Sequence, residues 1–264
     1  MEHWRLEPEG RAFETFTGTI CFAGWRGRQV VLKIPDPEVD ELDGLRVLLH
    51  FAGQGAARVL DHHEDAVLLE RALPGRPLAE LSAAGRDEEA TEVLCDTLAA
   101  LHGRAPPGQD FNSVEDWGGG FERFRRSPDD SLSPELVADA ESLFFQLAAS
   151  QGERLLLHGD LHHYNILHDE RRGWLAIDPK GVLGESAYEI GAALRNPLSL
   201  PQIFTDAAVI DRRLRIVSER LGFDGKRVLA WSFAQSVLAA IWAREDGTDH
   251  TPFLAVARVL RAKL

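Results

Sequence analysis

Lysine is nearly missing from this chain. Of its 29 basic residues only Lys33, Lys180, Lys226 and Lys263 are lysines; the rest are arginines. Where either basic side chain would serve, the sequence uses Arg, so a retained lysine points to a need for a compact ammonium. Cysteine is scarce too. Cys21 and Cys95 lie far apart, match no metal-ligand spacing and suggest a reducing compartment. No apolar run approaches the length of a membrane span. The opening residues, Met1 to Pro8, lack the apolar core of a signal peptide, so a soluble cytoplasmic protein is expected. Positive charge is in deficit, with a formal net charge of −13. That balance argues against a nucleic-acid or anionic-membrane surface and permits a cationic substrate. It is not locally concentrated: between residues 205 and 250, seven acids meet seven bases. There is no internal repeat and no low-complexity tract. A length of 264 residues suits one large domain or two modest lobes.

What is present gathers in residues 155–180. The apolar run Leu155-Leu-Leu157 delivers His158-Gly-Asp160 onto a turn, and Asn165 follows Asp160 by five residues. A second apolar run, Trp174 to Ile177, delivers Asp178. Two strand ends thereby present an Asp, an Asn and an Asp side by side. Asp160 can accept the proton of an alcohol, while Asn165 and Asp178 offer the hard oxygen ligands that suit Mg²⁺. Taken singly, Asp160 reads as a helix cap and Asn165 and Asp178 as turn residues. The spacing of all three between apolar runs favours chemistry over punctuation. His158, His162, His163 and His168 share the stretch and could bind metal. They alternate with the Asp/Asn pattern and have no accompanying Cys, so His158 reads better as a brace beneath the loop.

Upstream, Phe13–Phe22 and Gln29–Ile34 read as a hairpin around Gly24-Trp-Arg-Gly27. Lys33 sits in its second strand. Residues 38–50 carry leucines at helical spacing. Within them Glu41 is the acid best placed to pair with Lys33, or else a solvated acid at a helix start. Val59-Leu60 and Ala66–Leu69 suggest a second hairpin, after which Leu69 to Gly75 reads as a crossover. Beyond it the pattern is helical: 88–102, a helix capped by Ser133 with Pro134 in its first turn, 205–221, 225–244 and 252–262. Gly118-Gly-Gly120 reads as a local loop. The expected fold is therefore α+β and bilobal. Residues 1–70 form a small β-rich N-lobe, 71–75 a hinge, and 76–264 a large helical C-lobe.

The D-x-x-x-x-N spacing of Asp160 and Asn165, followed by Asp178, resembles the protein-kinase phosphoryl-transfer set. His-Gly-Asp160 and Ile-Asp178-Pro, with no Ala-Pro-Glu after them, are most similar to the aminoglycoside phosphotransferase family. Within it they resemble the streptomycin 6-phosphotransferase and hydroxyurea kinase branch. Asp40-Glu-Leu42, Val67 to Gly75 and Ser236 to Glu245 look similar to that branch as well. The resemblance implies ATP and Mg²⁺, with Asp160 as catalytic base, Asn165 and Asp178 as metal ligands and Lys33 as phosphate lysine. It further implies Glu41 as the lysine's partner and the backbone of Glu70 to Ala72 as the adenine-binding hinge. The implied substrate is a cationic or polyhydroxylated small molecule, with Glu245, Asp246 and Asp249 as candidate acceptor-side acids. The family also phosphorylates other polyols, amino alcohols and hydroxyurea. A non-catalytic nucleotide-binding scaffold is the reading from another class, although a scaffold needs no base. Oligomeric state is not legible.

Overall fold

The computed structural model describes residues 3–15, 18–36, 42–101, 110–128 and 130–264. Strands β1 (Glu7–Pro8), β2 (Phe13–Thr15), β3 (Gly18–Trp25) and β4 (Arg28–Pro35) precede helix α1 (Leu42–Phe51). With β5 (Val59–His63) and β6 (Ala66–Glu70) they form one antiparallel sheet of order β1-β3-β4-β6-β5, with β2 folded back on β3. The unbroken strand expected over residues 13–22 is thus two strands. Phe13 lies opposite Ile20, and the Thr15 hydroxyl donates to the Gly18 carbonyl at 2.8 Å.

Strand alternation sorts the sheet's side chains. Cys21, Ala23, Val30, Leu32 and Leu68 pack with Trp4 and Leu6 into a small core on one face. Ile20, Phe22, Val31, Lys33, Val67 and Leu69 line a cleft on the other. Lys33 sits opposite Ile20 on β3 and Val67 on β6, so it enters the cleft from an apolar ceiling.

Residues 71–73 carry the chain out of the sheet to β7 (Pro74–Pro77). Helices α2 (Ala79–Ala83), α3 (Asp87–Leu101), α4 (Val114–Trp117), α5 (Gly119–Arg126) and α6 (Pro134–Ala149) follow. The glycine triplet at 118–120 is the junction of two helices, not a loop. Ser113 and Asp116 cap α4 reciprocally, and burial of Phe121 and Phe124 holds α5 in place. Then come β8 (Leu155–Leu157), β9 (Ile166–Asp169), β10 (Gly173–Ala176) and β11 (Val182–Gly184). β9 pairs with both β7 and β10, and β8 pairs with β11. Helices α7 (Ile190–Leu194), α8 (Pro201–Phe204), α9 (Ala207–Leu221), α10 (Gly225–Glu245) and α11 (Thr251–Arg261) end the chain. The 21-residue α10 is buried on nearly every side and is the axis of the helical part. Among the described residues, no helix is long and apolar enough to cross a membrane.

One buried ion pair ties three helices together. Arg213 of α9 donates to both Asp87 carboxylate oxygens, at 2.6 and 3.0 Å, and to the carbonyls of Ala193 and Asn196. Burial pushes the Asp87 carboxyl up, but Arg213 overrides that and holds it below the usual carboxylate range. Removing the arginine strands a buried charge. Arg213→Met is expected to cost about 3–5 kcal/mol of stability, read by denaturant unfolding. A loss below about 1 kcal/mol would show that the pair contributes no more than an exposed one.

Candidate active site

The turn after β8 is stitched to the end of β10 through His158. Its Nε2 donates to the Ile177 carbonyl at 2.9 Å, and its Nδ1 accepts the Asp160 N–H at 3.3 Å. A ring nitrogen that accepts a backbone N–H carries no proton, so these two bonds fix one neutral tautomer. Burial pushes the His158 imidazole down to about 4, which keeps it neutral. His158 is thus the brace expected from the sequence. Its own carbonyl accepts from the N–H groups of Lys180 and Gly181, at 2.8 and 3.1 Å. Gly159, between His158 and Asp160, has φ +84°, and a Cβ there would stand 2.8 Å from the Trp117 ring. Only glycine fits that turn.

Beneath the turn lies Glu189, which accepts the Gly159 N–H at 2.9 Å. Burial pushes its carboxyl up to about 7. Burial also pushes the Asp160 carboxyl up, but His162 and then Arg195 hold it below the usual carboxylate range. His162 Nε2 lies 3.6 Å from one Asp160 oxygen, and Arg195 Nη2 lies 3.9 Å from the other. Arg195 is held in turn by the Gln235 side-chain oxygen at 3.2 Å. The sequence reading missed Arg195 and Gln235. Their one signal is a charged residue ending the apolar run Ile190 to Leu194, which is costly to bury without a partner.

Asn165 Nδ2 donates to the Asp160 carbonyl at 3.0 Å, and the Asn165 carbonyl accepts from Ile177 N–H at 2.9 Å. The first bond commits the amide nitrogen and leaves the oxygen as the ligand end of the side chain. Asp178 has φ +58°, a left-handed conformation at the mouth of the same turn. Its carboxylate pairs directly with the Lys33 ammonium. Burial pushes the Asp178 carboxyl up, and Lys33, then Lys180, outweigh that and hold it down. Asp160 and Asn165 thus share one turn, Asp178 stands at the adjoining strand end, and Lys33 joins the group through Asp178. An amide oxygen and an ionised carboxylate at adjoining strand ends form a donor set that fits a hard divalent cation. The other histidines have separate employments. His163 is buried beside Arg213, and His168 packs on Trp174.

The cleft has a volume of about 490 Å³. Its ceiling is Ile20, Val31, Val67 and Leu69, its floor Leu167 and Ile177, and Lys33 and Asp178 mark its polar end. Glu70 and Ala72 lie along it. The Glu70 carboxylate is taken by Arg172 and by the Arg58 N–H, and the Glu70 N–H donates to the Arg58 carbonyl at 3.0 Å. α1 presses on the Asp178 turn: a Cβ at Gly44 would stand 2.8 Å from the Pro179 carbonyl. Glu41, the acid expected to pair with Lys33, lies outside the described residues. The three acids at the end of α10 are dispersed in use. Glu245 forms a two-pronged pair with Arg123 at 3.0 Å, Asp249 accepts from Thr251 at the start of α11, and Asp246 caps α10.

Similarity to known proteins agrees with this geometry. Streptomycin 3''-kinase of Klebsiella pneumoniae is 38% identical over 99% of this chain and 97% of its own length. Streptomycin 6-kinase of Streptomyces griseus is 33% identical over 94% of this chain and 81% of its own. The crystal structure of aminoglycoside phosphotransferase APH(4)-Ia superposes with a TM-score of 0.68 at 20% identity, covering 100% of this chain and 96% of that one, which shows the shared protein-kinase-like fold. Residues 3–247 match the model of the aminoglycoside/hydroxyurea antibiotic resistance kinases. A match of that extent makes the chain a member of this kinase family, and so a small-molecule phosphotransferase.

Proposed function

We propose that the chain transfers the γ-phosphoryl group of ATP to a hydroxyl of streptomycin or a related guanidino-cyclitol. The observation that carries the reading is the Lys33–Asp178 pair at the polar end of the cleft, with Asn165 bonded to Asp160 on the adjoining strand-end turn. The choice of acceptor is supported by the 38% and 33% identity to two streptomycin kinases. Residues 1–70 act as the nucleotide lobe, 71–75 as hinge and 76–264 as catalytic and substrate lobe. The adenine lies between Val31, Leu69 and Leu167 against the backbone of Glu70 to Ala72. Asn165 and Asp178 hold Mg²⁺, which when bound neutralises charge on the phosphates. Lys33 grips the phosphates from the ceiling, with Glu41 as its partner. Asp160, ionised at neutral pH, orients the acceptor hydroxyl and takes its proton. On the acceptor side, Glu245 already receives one guanidinium bidentately, that of Arg123, and an acceptor guanidinium can exchange with it. Asp246 and Asp249 complete an acidic rim there.

The test is direct: purified protein, MgATP and streptomycin, with the product sought by mass spectrometry and its phosphorylated hydroxyl located by NMR. Hydroxyurea, which the matched family description also includes, is run in parallel. Phosphostreptomycin is expected. Efficient phosphorylation of hydroxyurea or of another small alcohol, with no streptomycin product, would reject the antibiotic assignment and leave the kinase assignment standing.

A further inference from the structure

Of the four lysines the roles above use Lys33 alone, and of the remaining three Lys180 stands at the site. It is one of four in a chain that otherwise writes Arg, and it stands two residues past Asp178. Its main chain is fixed between the two strand-end turns, since its N–H donates to the His158 carbonyl at 2.8 Å. Its Cβ stands 3.4 Å from where a Cβ on Gly159 would lie, against the residue that precedes Asp160. Its ammonium is close enough to Asp178 to help hold that carboxyl down. The side chain is half-buried, so its charge is partly shielded from solvent. Lys180 thus emerges between the base and the metal-binding carboxylate. In-line transfer must carry the phosphoryl group across that gap, leaving one oxygen and joining another.

We propose that Lys180 is a further catalytic residue, whose ammonium contacts the equatorial oxygens of the phosphoryl group during transfer. The proposal rests on the phosphoryl-transfer reading of Asp160 and Asp178. The bond from the γ-phosphorus to the β,γ-bridging oxygen breaks, and its electron pair leaves with ADP. The bond from phosphorus to the acceptor oxygen forms, and the acceptor proton goes to Asp160. Lys180 keeps all three of its protons throughout. Its part is to offset negative charge on those equatorial oxygens. Such a group lowers the barrier only so far as its contact strengthens in the transition state, so its loss falls on turnover more than on binding. A compact ammonium on a flexible stem can follow the moving group, whereas a planar guanidinium of fixed fork cannot, which accounts for lysine here.

The experiment compares Lys180→Met, Lys180→Arg and Asp160→Asn with the wild-type enzyme, using MgATP and streptomycin. Steady-state kcat and KM are measured for both substrates, ADP affinity by calorimetry, and Tm as a control. Lys180→Met is expected to lower kcat on the order of 10²–10³-fold, with KM values, ADP affinity and Tm close to wild type. Lys180→Arg is expected to recover only part of the loss. Wild-type kcat in Lys180→Met would overturn the proposal, as would a loss carried wholly by KM or by Tm. Asp160→Asn separates the two levels of inference. If it is inactive while Lys180→Met turns over normally, only the lysine proposal falls. If Asp160→Asn is itself active, the reading of the site falls first.

Discussion

Asp160→Asn is expected to bind MgATP as tightly as the wild type and to lose about 10²–10⁴-fold in turnover, the range for removal of a general base. The substitution keeps the side chain's size and one oxygen, so the His158 and Asn165 bonds, which use the backbone of Asp160, persist. What disappears is a carboxylate that can take a proton. The arrangement around it also fixes the pH response. His162 and Arg195 outweigh burial and hold the Asp160 carboxyl below the usual carboxylate range. The base is therefore ionised across the neutral range, and activity that depends on it falls only in strong acid. An acid limb of kcat/KM lying below the ordinary carboxylate range is the expected profile. Arg195→Gln, which keeps a hydrogen-bonding side chain but removes the charge beside Asp160, is expected to move that limb to higher pH. Near-normal turnover by Asp160→Asn would remove the base assignment, and an unmoved limb in Arg195→Gln would remove the electrostatic account of it.

The parts of this site that could be read from sequence are those built by local spacing. Asp160 and Asn165 flank a single turn, and Asp178 ends the strand that pairs with the one Asn165 introduces. Five residues and a hairpin suffice to bring these three together, so a pattern along the chain carries the geometry. Lys33 was legible for another reason: its place in an apolar strand and a bias against lysine both marked it. Arg195 and Gln235 had no such signal. They are 40 residues apart and meet through the packing of α7 against α10. The Arg213–Asp87 pair is separated by 126 residues and is equally silent in sequence. Residues 118–120 misled in the other direction. Three glycines favour a loop by propensity, yet burial of Phe121 and Phe124 and the capping of α4 decide for helix, because tertiary packing overrides weak local preference. The acids closing α10 show the same limit. Their charge is visible in the sequence, whereas the engagement of Glu245 with Arg123 and of Asp249 with Thr251 depends on partners that helix periodicity does not name.

Asp178→Asn is expected to lower turnover on the order of 10³-fold, because the loss of a charged metal ligand removes several kcal/mol of charge neutralisation on the phosphates. Asparagine is the informative replacement here, and alanine is not. Asp178 has φ +58°. Asn tolerates the left-handed region far better than Ala, so Asp178→Ala would mix backbone strain with the loss of a ligand. Asn also keeps a side-chain oxygen facing Lys33. What it cannot supply is the negative charge that now balances the Lys33 ammonium, which is only 15% exposed. The variant therefore has two signatures that a merely structural residue would not produce. The Mg²⁺ concentration for half-maximal rate rises, since one anionic ligand has become neutral. Affinity for nucleotide in the absence of Mg²⁺ holds or improves, since Lys33 is released from its carboxylate and the phosphates meet one negative charge fewer. Calorimetry with ATP, in the presence and absence of Mg²⁺, reads both. If the Mg²⁺ dependence of rate and binding is the same in Asp178→Asn as in the wild type, Asp178 is a partner of Lys33 alone, and the cation must be held elsewhere.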